Sequence, residues 1–249
     1  GSGVYTTINA AVAAAADGDT IEIQDSGTYS DGHVGIGLNN LTIQAASGQT
    51  PCMDNSSIPD GGFDFGGSGT FTIKGLSIKA ILPLEIRQAS ASLVCENCII
   101  NNSSNLYGTF VFDGGGGNLT LNHCLVTAFY GAGIYAMGPS GGVLTVTNTT
   151  IVTNEPGWVV LRAETASAGS KITNSIIADV NSSFVEWTLI VNSNVAVSNS
   201  CIYNAKVPGV ASVLPSESVS NCIYTNPNFQ NTSEPYGASS YAVPSNKDC

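Results

Sequence analysis

Charge is what this chain has least of. Only 10% of its 249 residues are Asp, Glu, Lys or Arg, and the seven basic ones are scattered rather than clustered. Against 18 acidic residues they leave a formal charge of −11. No basic patch exists to hold a phosphate backbone or an anionic lipid surface, so nucleic acid and membrane surfaces are excluded as partners. An acidic polysaccharide is repelled as well, unless a cation bridges it. No apolar run approaches the ~20 residues that span a bilayer, so no membrane-spanning segment is expected. No basic-then-apolar leader opens the chain, and any secretory signal is expected to be gone already. Histidine is nearly missing too, and no Cys–His set has zinc spacing.

What the chain has instead is Gly, Ser, Thr and Asn, a way of staying soluble through hydroxyls and amides. Seven cysteines, Cys52, Cys95, Cys98, Cys124, Cys201, Cys222 and Cys249, point to disulfides in an oxidising compartment. Their odd number leaves one thiol free or joined to another chain. The length is within reach of one large all-β domain with a substantial core. One domain over 1–249 is therefore expected, with an N-terminal cap in 1–19, the body in 20–224 and a tail packing on its end in 225–249.

One helix is predicted, over residues 6 to 17. Ile8, Ala11, Val12 and Ala15 have helical spacing, Thr6 or Thr7 is the N-cap, and Gly18 lies beyond the end. DTIEIQDSGTY then alternates as a strand with Ile21 and Ile23 on one face. From there the sequence repeats around a polar pivot. The copies are GLNNLTI, TIKGLSI, VCENCII, TLNHCLV, TVTNTTI, KITNSII, AVSNSCI and SVSNCIY, pivoting on Asn40, Gly75, Asn97, His123, Asn148, Asn174, Asn199 and Asn221. Apolar residues recur two before and three after each pivot. The pivots lie 22 to 26 residues apart after a first gap of 35. A period near 25 with short β segments is the mark of a stacked solenoid rather than of a sandwich.

A second run recurs between the copies: VGIGL, FDFGG, PLEIR, TFVFD, GIYAM, VVLRA and FVEWT. Each period thus carries at least two strands, which is one coil of a parallel β-helix of about eight coils. The pivot Asn is expected to take left-handed geometry at a tight bend and to stack its side chain inward as a buried amide ladder. His123 would then be a half-buried, hydrogen-bonded member of that ladder. His33, in SDGHVG, has nothing near it in sequence to act on.

YTTINAAVAAAADGDTIEIQDSGTY resembles the cap and first coil of right-handed parallel β-helix proteins of the pectate-lyase-like superfamily. TVTNTTIVTN, KITNSIIADV and the closing NCIYTNPNFQ are similar to secreted bacterial surface β-helix proteins. The resemblance covers nearly the whole chain and implies a right-handed all-β solenoid. For activity it implies little, since the architecture hosts lyases, hydrolases, esterases, tailspikes and structural repeats. The paired Asp, His-Gly and Arg-Ile-Lys stretches of polygalacturonases are missing from this chain.

If the second runs stack in register, Asp64, Glu85, Val111, Tyr135, Val160 and Glu186 share one outward column. Gly66, Arg87, Asp113, Met137, Arg162 and Thr188 share the next. A polysaccharide lyase would use Arg87 or Arg162 as base, with Asp113 or Glu85 holding Ca²⁺; without a lyase no cofactor or metal is expected. The competing reading is a set of cross-coil ion pairs on a solvated face, each worth ~0 to 1 kcal/mol. Tyr135, Trp158, Phe184 and Trp187 would form a sugar platform in a carbohydrate-binding module, or else fill the core.

Cys98 and Cys124 follow their pivots in consecutive coils, about 5 Å apart, within disulfide range. A column of stacked, unbonded thiols fits equally well. Cys201, Cys222 and Cys249 are expected near one another at the far end. The turn sequons at Asn55, Asn102, Asn118, Asn181 and Asn231 are the accessible glycosylation candidates, while the one at Asn148 falls on a pivot and is expected to be silent. Together these features point to a secreted, extracellular or cell-surface structural rod. Its expected partners are copies of itself and glycans. A lyase or carbohydrate-binding solenoid is the alternative.

Overall fold

The computed structural model describes residues 4–59, 61–88, 90–103, 110–112, 117–128, 134–135, 142–153, 159–180, 187–205, 213–214 and 219–229. Its helix, Ile8–Ala14, is shorter than the helical spacing suggests. Thr7 is the N-cap, its hydroxyl accepting from the Ala10 amide at 3.1 Å. The Asp31 carboxylate, one coil on, takes the amides of Ile8 and Asn9, so the first turn is held by tertiary contact as well as by its cap. Ile8, Ala11 and Val12 are buried against the first coil.

Three parallel sheets follow, and each coil gives one strand to each. Among the described residues the first sheet has nine strands, from Asp19–Ile23 to Val219–Ser220. The second has eight, from Thr28–Tyr29 to Cys201–Asn204, and the third eight, from Val34–Ile36 to Val213–Leu214. The all-β parallel solenoid is as expected, with a third strand in every coil.

The two-residue alternation of a strand sorts the side chains. In the first sheet Ile43, Ile73, Cys95, Leu121, Val146, Ile172 and Val197 stack inward in register. In the second sheet Met53, Ile78, Ile100, Val126, Ile151, Ile177 and Ile202 do the same. All are buried, at about 1.5 to 3 kcal/mol for each large aliphatic side chain. Phe63, Phe65 and Phe71 add an aromatic stack in the early coils, with Phe65 and Phe71 4.5 Å between centroids. Where the backbone of one coil crosses that of the last, only glycine fits: a Cβ on Gly69 would lie 1.8 Å from the Asn39 carbonyl oxygen.

The corner between first and second sheets is the repeated pivot. Asn97, His123, Asn148, Asn174, Asn199 and Asn221 all have φ of 50° to 54°, and Gly75 has 70°. The bend is as expected; the buried amide ladder is not. Asn97, His123, Asn174, Asn199 and Asn221 are exposed and Asn148 is half-buried, because left-handed geometry at this corner turns the side chain outward. What stacks there is backbone: the amide of each pivot donates to the carbonyl preceding the next pivot, as Asn97 does to Asn122 at 3.0 Å. Asn148 keeps one side-chain bond, from Nδ2 to the Asn122 Oδ1 at 3.4 Å.

The buried ladder is one residue further on, where Leu76, Cys98, Cys124, Thr149, Ser175 and Ser200 point inward. The Ser175 hydroxyl accepts from the Thr149 amide at 3.2 Å and donates to the Thr173 carbonyl at 2.8 Å. Thr149 serves Cys124 in the same way at 3.2 Å, and Ser200 serves Ser175 at 3.1 Å. A tight bend leaves amides pointing along the stack, and a short hydroxyl is the group that reaches them without filling the core.

The first aligned copy is out of step. Ile43 pairs with Ile73, so Ala45 rather than Asn40 occupies the place of Gly75. A loop, residues 46–51, widens this corner and moves its left-handed residue to Gly48, at φ 80°. Asn40 instead accepts the Thr70 amide through Oδ1 at 3.1 Å.

Candidate functional site

On the outer face of the third sheet, Phe63–Phe65 and Leu84–Ile86 are three-residue strands whose outer residues face the core. Alternation therefore throws Asp64 and Glu85 outward, adjacent in register. Arg87, just past its strand, folds back over both. Its Nε donates to Asp64 Oδ1 at 2.9 Å and its Nη2 to Glu85 Oε2 at 3.2 Å. The other Asp64 oxygen lies 3.2 Å from Nε2 of His33. Both carboxylates are 14% exposed, whereas Arg87 and His33 are about half exposed. Sequence reasoning left His33 without a partner. The missing signal was the register of VGIGL against FDFGG, which sets Gly35 beside Asp64.

This arrangement opposes the base role foreseen for Arg87. Asp64 first, then Glu85, raises the pKa of the guanidinium, and a base must lose that proton. Arg162 lies in a different column from the expected one. It pairs with Tyr135, a two-residue slip from the expected partner Val160, so it falls in the column of Glu85, three strands further along. At ~4.8 Å per strand it is about 14 Å from Glu85, and it binds Glu164 at 2.5 Å. Arg87 and Arg162 therefore do not share a site. Thr188, placed outward beside Arg162 in that reading, is buried and donates to the Tyr203 carbonyl at 3.3 Å, while Arg162 pairs with Ile190. Asp113, Met137, Trp158, Phe184 and Glu186 lie outside the described residues, as do the side chains of Tyr135 and Trp187.

The six described cysteines are free thiols. Cys98 and Cys124 share the inward ladder as expected, but as stacked thiols: Cys98 Sγ donates to the Ile73 carbonyl at 3.4 Å and Cys124 Sγ to that of Cys95 at 3.3 Å. The hydrogen bond to Cys98, then burial, pushes the Cys124 thiol far up, and burial does the same to Cys95. Cys95 and Cys124 are therefore poor nucleophiles, while the same hydrogen bond lowers the pKa of Cys98. Cys201 and Cys222 sit in different columns, Cys201 outward on the second sheet and Cys222 in the ladder; Cys249 lies outside the described residues.

Two expected glycosylation sites are buried. Asn55 and Asn102 end second-sheet strands at the other corner, where the side chain points inward. Asn55 Nδ2 donates to the Gly61 and Gly32 carbonyls at 2.6 and 2.8 Å, binding two loops together. The asparagines that end second-sheet strands, Asn55, Asn102 and Asn204, are thus buried at this corner, whereas those of the pivots are not. Asn118 is exposed, and Asn181 and Asn231 lie outside the described residues.

The second sheet has a covered outer face. Leu125, Val152, Ile176, Ala178 and Cys201 point away from the solenoid core yet are buried. Phe229, from the closing Asn-Pro-Asn-Phe, packs on them with Val180. The chain past the last coil therefore turns back along the outside of the rod.

A family model for the right-handed β-helix region matches residues 5–154. No curated protein and no solved structure matches the chain.

Proposed function

The chain belongs to the right-handed β-helix family, and we propose that it is a structural rod, a secreted subunit of extracellular or cell-surface material assembled from copies of itself. One observation carries this reading: among the described residues four of the five outer-face cations, all but Lys171, are held by carboxylates of the same chain. Lys74 sits 3.0 Å from Glu96, Lys79 3.7 Å from Asp54, Arg87 on Asp64 and Glu85, and Arg162 on Glu164. Pairs of this kind neutralise a face and stabilise it by ~0 to 1 kcal/mol each. A lyase needs a free cation beside carboxylates that can hold a metal, and Lys171 has only Thr145 and Ala196 beside it in register.

Sedimentation velocity and negative-stain microscopy over rising protein concentration test the proposal. Elongated assemblies of regular width are expected. A strictly monomeric particle that cleaves uronate polymers in the presence of Ca²⁺, releasing an ultraviolet-absorbing unsaturated product, would establish the lyase instead.

A further inference from the structure

The rod's N-terminal end is not finished by its cap. Among the described residues Asp19–Ile23 has a single strand neighbour, Leu41–Ala45, so one edge of this strand is open. Sheet edges are usually blunted by Pro, by charged side chains, by a bulge or by a covering element. This strand, DTIEI, has no Pro and pairs without a bulge, and its two charges, Asp19 and Glu22, are both negative, so they repel an acidic strand and not a basic one. The helix stands off from it, leaving a groove of about 270 Å³ along its whole length. Thr20, Ile21 and Glu22 line one wall, and Tyr5, Ala11 and Ala14 the other. At its mouth are Val4 and Tyr5, which with Ile223 are the large apolar side chains left exposed among the described residues.

The charge here has one sign. No Lys or Arg precedes Lys74, while Asp17, Asp19, Glu22, Asp25 and Asp31 all cluster in the first 31 residues. The sheet itself shows what complements this edge. Its outward column runs Glu22, Gln44, Lys74, Glu96, and one strand step from Glu96 stands Lys74 at 3.0 Å. The inward column beside it runs Ile21, Ile43, Ile73.

We infer that this groove is a docking site for an extended segment of a partner protein, alternately apolar and basic, which adds to the first sheet as one more parallel strand. Its apolar residue lies beside Ile21 under the helix, and its Lys or Arg lies beside Glu22, as Lys74 lies beside Glu96. Backbone hydrogen bonds to the open edge supply affinity, and the two side chains supply register. The inference is independent of the rod's self-assembly, whose copies each carry −11 and offer no basic strand at the described far end.

The probe is a synthetic peptide with the chain's own Thr-Phe-Thr-Ile-Lys sequence, flanked by Gly-Ser and labelled for fluorescence anisotropy. Saturable binding to the full chain is expected, weakening as salt rises. Glu22→Lys in the protein, or Lys→Glu in the peptide, weakens it about tenfold or more, because like charges then face each other. Combining the two restores it. Ala14→Trp, on an exposed helix position, fills the groove and abolishes binding while thermal melting and rod assembly are unchanged. Absence of peptide binding, or binding indifferent to Ala14→Trp, overturns the inference. Loss of self-assembly in Ala14→Trp without any peptide binding also overturns it, and makes a second copy the occupant.

Discussion

Replacing Ser175 by Ala tests the reading of the corner most directly. Ser175 is 2% exposed, and its hydroxyl is the acceptor for the Thr149 amide at 3.2 Å and a donor to the Thr173 carbonyl at 2.8 Å. The Thr173 carbonyl keeps a second donor, the Asn148 amide at 3.2 Å, so alanine orphans one group rather than two. A buried amide left without its acceptor costs about 1 to 3 kcal/mol. For a chain of this size that lowers the melting temperature by roughly 2 to 10 °C. Ser175→Thr is the control, because Thr149 fills the same ladder position one coil earlier; its cost should stay below about 1 kcal/mol. Calorimetry gives the two midpoints, and amide hydrogen exchange should show Thr149 protected in the parent and in Ser175→Thr but not in Ser175→Ala. An alanine variant melting with the parent, with Thr149 still protected, would refute a load on the hydroxyl ladder.

At the pivots, Asn174→Gly should be neutral or slightly stabilising and Asn174→Val destabilising by about 1 to 2 kcal/mol, since φ of 51° suits glycine and opposes a β-branched residue; equal midpoints in denaturant would contradict this. Alkylation of the folded protein at neutral pH should label half-buried Cys52 and Cys222 before Cys95 and Cys124, and peptide mapping that finds Cys124 labelled as fast as Cys52 would contradict its burial. In a host that glycosylates secreted proteins, the folded product should carry sugar at Asn118 and none at Asn55 or Asn102, as intact-mass and peptide analysis can read. Asp17 has its pKa lowered by the amides of Asn40 and then Asn39, which it accepts at 3.1 and 2.6 Å. Its contribution is therefore complete above the ordinary carboxylate range, about pH 4, and is lost as pH falls through the lowered value. Melting temperature followed from pH 7 to 3 should fall less steeply in Asp17→Asn, and parallel curves would count against that coupling.

Much of this was readable along the chain. Alternation within TVTNTTI and KITNSII already assigns Val146, Ile151, Ile172 and Ile177 to the interior, because a strand's facing is a local property of period two. The cap helix was readable from Thr7, Ile8 and Val12 for the same reason. The site was less legible. His33 and Asp64 are 31 residues apart and meet only through the pairing of Val34–Ile36 with Phe63–Phe65. The slip at Arg162 is equally non-local, since the pairing of Arg162 with Tyr135 leaves no mark in the alternation of either strand.

Residue order alone decides that this chain stacks, which residues point inward on each strand, and where it bends, because those follow from alternation and from the few residue types that accept positive φ. Tertiary structure decides which neighbour of a bend is buried. In TVTNTTIVTN both Asn148 and Thr149 are polar and adjacent, and sequence gives no reason to prefer one. Left-handed backbone at Asn148 turns its side chain to the outside and Thr149 into the stack, where the amide of Cys124 waits for its hydroxyl at 3.2 Å.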